Sequence, residues 1–165
     1  LPLPETGLVT EPLYDEQFVV VTPVNHPWAK RTTISAEDLK LQNMLLLGSG
    51  HCFRDQVLEV CPELSKFAAA SEGIQRTFEG SSLETIRHMV AAGIGITVMP
   101  MSAVKAHDRN SELLSYIPFD KPVPERRVVL AWRKSFPRIA SIEALKESVY
   151  ACGLEGVTML NGTVT

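Results

Sequence analysis

Residues 44–61 read MLLLGSGHCFRDQVLEVC. Met44-Leu45-Leu46-Leu47 is a continuous apolar run, the pattern of a strand buried on both faces. Gly48-Ser49-Gly50 breaks it. Downstream of Cys52, the apolar residues Phe53, Val57 and Val60 recur at helical spacing, and Pro62 cannot continue a helix. A buried strand, a glycine turn and a helix in one short stretch make an α/β unit.

The flanking sequence repeats the alternation. Residues 18–22 (FVVVT) form another buried strand. Asn25-His26-Pro27-Trp28 is a turn, since a residue before proline avoids helical geometry. Ser35, with Asp38 three residues on, caps a short helix reaching about Lys40. Residues 65–73 read as a loop or loose helix and 74–78 as a strand. Ser81-Ser82-Leu83-Glu84 is a capping box before Ile86, Met89 and Val90, and Gly93 closes that helix. Residues 94–99 form a strand stopped by Pro100, and 101–107 a short helix. Residues 113–117 and 127–132 are further strands. The last helix, 139–151, carries Ile142, Leu145, Val149 and Tyr150 on its apolar side. The alternation predicts an α/β fold with mainly parallel strands. Residues 1–12 hold three prolines and read as a connector; from Gly153 onward the chain reads as a polar tail.

The chain has 165 residues, 45% of them hydrophobic, enough for one domain or two small interleaved lobes. A net charge of −3 offers no basic face, so any DNA contact belongs to another segment. No apolar run approaches the ~20 residues of a membrane helix, and no signal peptide opens the chain. Leu3-Pro4-Glu5-Thr6-Gly7 spells a sortase motif, but at the start of the chain rather than before an apolar tail, so it reads as coincidence. Without an initiator Met, the chain reads as a piece of a longer protein. Three cysteines argue against a secreted disulfide scaffold and for reduced thiols in the cytoplasm. A disulfide here would be redox-active. No dinucleotide fingerprint, phosphate loop or zinc-type Cys/His spacing is present, so neither cofactor nor metal is expected.

Cys52 stands where a loop enters a helix. N–H groups at a helix start carry partial positive charge and stabilise an anion such as a thiolate. His51 is adjacent, Arg54 lies two residues on, and Asp55 can orient either of them. Thiolate is the species that attacks peroxide, giving a sulfenic acid. Cys61 can then attack that sulfur and release water. Nine helical residues span about 13–14 Å, whereas a disulfide needs Cα atoms about 4.4–6.8 Å apart. Bridging Cys52 and Cys61 therefore requires the helix to unwind, so the covalent change drives a conformational one. The plainer reading makes each cysteine a small packed residue. His26, His88 and His107 read as surface or capping residues, Cys152 as a bystander, and Trp28 and Trp132 as core or lobe-contact residues. Ser82 and Thr85 open a helix whose amides could hold a small ligand, against plain capping.

Gly50-His51-Cys52-Phe53-Arg54-Asp55-Gln56, followed by Cys61, resembles the signature segment of the OxyR family, the peroxide sensors among LysR-type regulators. Ser82-Leu83-Glu84-Thr85-Ile86-Arg87, Met89-Val90-Ala91-Ala92-Gly93, Gly95-Ile96-Thr97 and His26-Pro27-Trp28-Ala29 resemble further family segments. The match runs from about Glu11 to about Trp132. The resemblance implies a regulatory domain of two-lobed, periplasmic-binding-protein-like architecture. Residues 1–17 would be a crossover from lobe one, 18–118 lobe two with the redox cysteines, 119–152 the return to lobe one, and 153–165 a tail. It implies that Cys52 reacts with peroxide and that Cys61 resolves it by a reversible disulfide. It implies that His51, Arg54 and Asp55 surround Cys52, and that Arg126 helps activate the thiol. In many LysR-type domains the region of Ser82 and Thr85 lines an effector pocket.

The partners the resemblance implies are hydrogen peroxide, promoter DNA through a domain absent from this chain, RNA polymerase, a reductant such as glutaredoxin, and further copies in a homodimer or homotetramer. It implies a sensor rather than an enzyme, with no membrane association. Two other readings compete. A two-cysteine thiol peroxidase would turn over with a reductant. A metabolite-binding LysR-type domain would hold an organic effector between its lobes. The family's winged helix-turn-helix, linker helix and opening of lobe one have no counterpart here, and that opening also supplies hydroxyl groups to the family's peroxide site. Residues 64–72 read as slack that lets Cys61 travel.

Overall fold

The computed structural model describes residues 7–62, 77–104 and 112–160. The chain divides into two compact units, Phe18–Pro124 and Leu1–Gln17 with Glu125–Thr165. Strand β1 (Leu8–Pro23) contributes residues to both.

In the unit Phe18–Pro124, residues 18–23 of β1 pair antiparallel with β4 (Thr97–Pro100) on one side and β5 (Leu114–Pro118) on the other. Val20 lies opposite Val98 and Ile117, so both edges of the run meet apolar partners. β2 (Met44–Leu47) pairs in parallel with β3 (Thr77–Gly80), and a bridge from Met44 to Ile96 brings it to the approach of β4. Gly95 permits this close approach: a Cβ there would collide with the carbonyl of Asn43. Helix α1 (Cys52–Val60) packs on β2, and α2 (Leu83–Ala91) packs on β2, β3 and β4. Buried Arg87 donates to the Tyr116 hydroxyl at 3.3 Å and to the Ala103 carbonyl, pinning α2 to the segments beyond β4. The core runs through Phe18, Val19, Val20, Val21, Leu45 and Ile86.

In the other unit, β1 pairs antiparallel with β6 (Glu125–Arg133) and with β7 (Val157–Met159). Helix α3 (Ile139–Ala151) follows β6.

Several expectations change. Every strand pairing of β1 is antiparallel, and β2–β3 is the parallel pair among the described strands. A continuous apolar run reports burial on both faces, which either direction can provide. Residues 8–12 are strand rather than connector, and a register shift between Pro12 and Tyr14 accommodates a residue that cannot donate to the ladder. The tail forms β7, with Val157 and Met159 half-buried against β1. The segments capped at His26 and Ser35 are 3₁₀ turns. The readings for residues 64–76 and 105–107 fall outside the described residues, as does most of the sortase-like motif.

Candidate functional site

β2 ends at Leu47, and the chain turns through Gly50, whose φ of +93° suits glycine. His51 is the N-cap of α1 in extended geometry, and its side chain makes no capping hydrogen bond. Cys52 is the first helical residue and is exposed. Phe53 and Val57 form the seated face of α1, and the Phe53 ring stands edge-on to Phe18 at 5.3 Å. Arg54 is turned inward and donates through Nη1 to the Leu47 carbonyl at 2.8 Å, tying the first turn of α1 to the end of β2. His51 and Asp55 are exposed. The junction thus gathers His51, Cys52, Arg54 and Asp55 on one short loop and helix start.

Cys61 is the C-cap of α1, its N–H bonded to the Val57 carbonyl at 3.2 Å, and is 3% exposed. An exposed thiol and a buried thiol therefore occupy opposite ends of a continuous helix, about 13–14 Å apart along its axis. Both are reduced. In this conformation no disulfide can join them.

Arg126 belongs to the other unit. Its Nε donates to Glu16 Oε2 at 2.8 Å, across the β1–β6 register, and the Glu16 side chain is fully buried. Glu16 carried no signal in the sequence, because a carboxylate beside an exposed-looking Asp15 reads as surface. Nearby, burial, together with the charge of Glu16, raises the Tyr14 phenol above its ordinary value.

Ser82 is the N-cap of α2. Its Oγ accepts from the Thr85 N–H at 3.1 Å and lies 3.0 Å from the Thr85 hydroxyl. Both side chains are spent on the cap, one residue later than the box expected at Ser81. His26 likewise caps, its Nδ1 accepting from the Trp28 N–H at 3.2 Å. Cys152 ends α3 and is exposed. Among the described residues no group of His, Cys, Asp and Glu could hold a metal ion, and no helix is long and apolar enough to cross a membrane.

The model of the LysR substrate binding domain matches residues 1–151. The reduced form of the OxyR regulatory domain from Pseudomonas aeruginosa is 48% identical, covers 92% of this chain and is covered to 70%, with a TM-score of 0.78. The chain belongs to the LysR substrate-binding domain family, on its OxyR branch. A reduced form of OxyR from Neisseria meningitidis superposes with a TM-score of 0.88 at 43% identity, over 96% of this chain and 72% of its own. A probable hydrogen peroxide-inducible genes activator of Streptomyces viridosporus is 40% identical over 88% of this chain. The chain spans 45% of that relative's length.

Proposed function

We propose that this chain is the redox-sensing regulatory part of a hydrogen-peroxide-responsive LysR-type transcription regulator. The observation that carries it is the placement of two free cysteines at opposite ends of one helix, one exposed and one buried. The Cys52 thiolate attacks peroxide, forming an S–O bond, breaking the O–O bond and releasing hydroxide, which takes a proton to become water. The Cys61 thiol then attacks the sulfenic sulfur, the S–S bond forms, and a second water leaves. α1 must unwind to let the sulfurs meet.

In this reading, His51, Arg54 and Asp55 shape the surroundings of Cys52, and Arg126 assists the thiol. Ser82 and Thr85 remain pocket candidates on the strength of family resemblance, although their side chains are occupied by the cap. The whole protein contacts promoter DNA and RNA polymerase through other segments, works as a homodimer or homotetramer in the cytoplasm, and is reset by a glutaredoxin-type reductant. One oxidation event is read as a signal.

The test is thiol mapping under non-reducing conditions after about one equivalent of hydrogen peroxide, on the complete protein and on its Cys52→Ser and Cys61→Ser variants. A Cys52–Cys61 bridge is expected in the unmodified protein and in neither variant. A Cys52 that stays unmodified overturns the reading and directs the search to an organic effector.

A further inference from the structure

We propose that Gln56 sets the threshold of the switch by keeping α1 only marginally stable in the reduced state, an inference that rests on the redox reading above. Gln56 Oε1 is buried and has no hydrogen-bond partner among the described residues. A buried carbonyl oxygen without a donor costs the structure that buries it. A small cleft of about 10 Å³ also lies under the helix, lined by Phe53, Arg54 and Val57 from α1 and by Leu46, Leu83 and Ile86. Side chains around such a void lose packing contacts on one side. At the ends of the helix the dipole is only partly answered: Asp55 stands in the first turn. His51 gives no side-chain cap, and the last turn has no basic residue while Glu59 faces the negative end of the helix dipole.

Against these stand two buried side chains, Phe53 and Val57, and the Arg54 bond to Leu47. A helix this short does not hold in water by itself and depends on its tertiary anchors. Bridging Cys52 and Cys61 requires α1 to unwind, and the unwound segment lets the Gln56 amide reach water. The penalty therefore falls on the reduced state alone and favours closure of the disulfide.

The test compares Gln56→Leu and Gln56→Met with the unmodified residue in the complete protein containing this chain. Both substitutions remove the unpartnered oxygen at similar volume. Formation of the Cys52 sulfenic acid, followed in a Cys61→Ser background, is expected to hold within about twofold. Disulfide closure is expected to slow about tenfold, and amide exchange along residues 53–60 to slow by a similar factor, as relief of one orphaned buried group implies. Val57→Ile, which partly fills the cleft, should act in the same direction and less strongly. Closure and exchange that are unchanged or faster in the Gln56 variants would overturn the proposal. So would a slower sulfenic step with closure unaffected, which would make Gln56 a group for the peroxide chemistry. Absence of any Cys52–Cys61 bridge in the unmodified protein sinks the redox reading instead; the exchange rates then still decide whether Gln56 destabilises α1.

Discussion

In the unit Phe18–Pro124, Val19, Val20 and Val21 are at most 1% exposed, and helices α1 and α2 seat Phe53, Val57, Ile86 and Val90 on the sheet. In the other unit, β6 alternates half-buried and exposed residues along its length, and α3 has no buried residue. What that unit has instead is pairs of opposite charge: Glu16 with Arg126, Asp15 with Arg127, and Glu11 with Lys146. The unit carrying Cys52 and Cys61 is ordered by apolar burial, which fixes where α1 sits on the sheet. The other is ordered by strand register and by ion pairs that β1 makes with β6 and α3, and Val129, Phe136, Ile139, Leu145 and Leu154 stay 36–49% exposed. Burial is non-directional and strong, whereas ion pairs are directional and worth much only where water is excluded.

The sharpest way to break this comparison is a matched truncation. Leu45→Ala, at a fully buried position, should lower unfolding free energy by about 2–5 kcal/mol. Leu145→Ala on α3 should cost under about 0.5 kcal/mol. Equal shifts in urea midpoint for the two would end the distinction. Next in size is Glu16→Gln, which leaves the Arg126 guanidinium without its buried counter-charge and should cost about 3 kcal/mol. Adding Arg126→Met to that variant should recover part of the loss in a double-mutant cycle. A purely additive result would mean that the pair does not act as one. Removing the cap with Ser82→Ala should cost about 1 kcal/mol, read in the same denaturation series.

The smallest effect is a pH dependence. The hydrogen bond from Arg127 holds the Asp15 carboxyl below its ordinary value of 3.8. A depressed folded-state value means that Asp15 stabilises the fold above the unfolded value, and that this is lost as pH falls through the lower folded one. Asp15→Asn should therefore flatten a small part of the acid limb below about pH 4 and leave neutral stability only slightly reduced. An acid limb unchanged by the substitution would show that solvent screens the pair completely.

The sequence by itself determined the local elements and the placement of Cys52 and Cys61 along one helix. The extent of α1 from Cys52 to Val60, its stop before Pro62, the last helix and the caps at His26 and Ser35 were all legible, and the cap at Ser82 fell one residue from its expected place, because capping chemistry and helical spacing act within a few residues. Cys52 at a helix start and Cys61 at the far end followed from the same local rules. Strand direction, the β7 pairing of the tail and the strand character of residues 8–12 came only from the tertiary structure, since hydrogen-bond partners far along the chain choose them. So did the burial of Glu16, the inward turn of Arg54 and the unpartnered Gln56 oxygen. A polar side chain looks the same in the sequence whether water or packed apolar neighbours will surround it, and only the folded chain decides which.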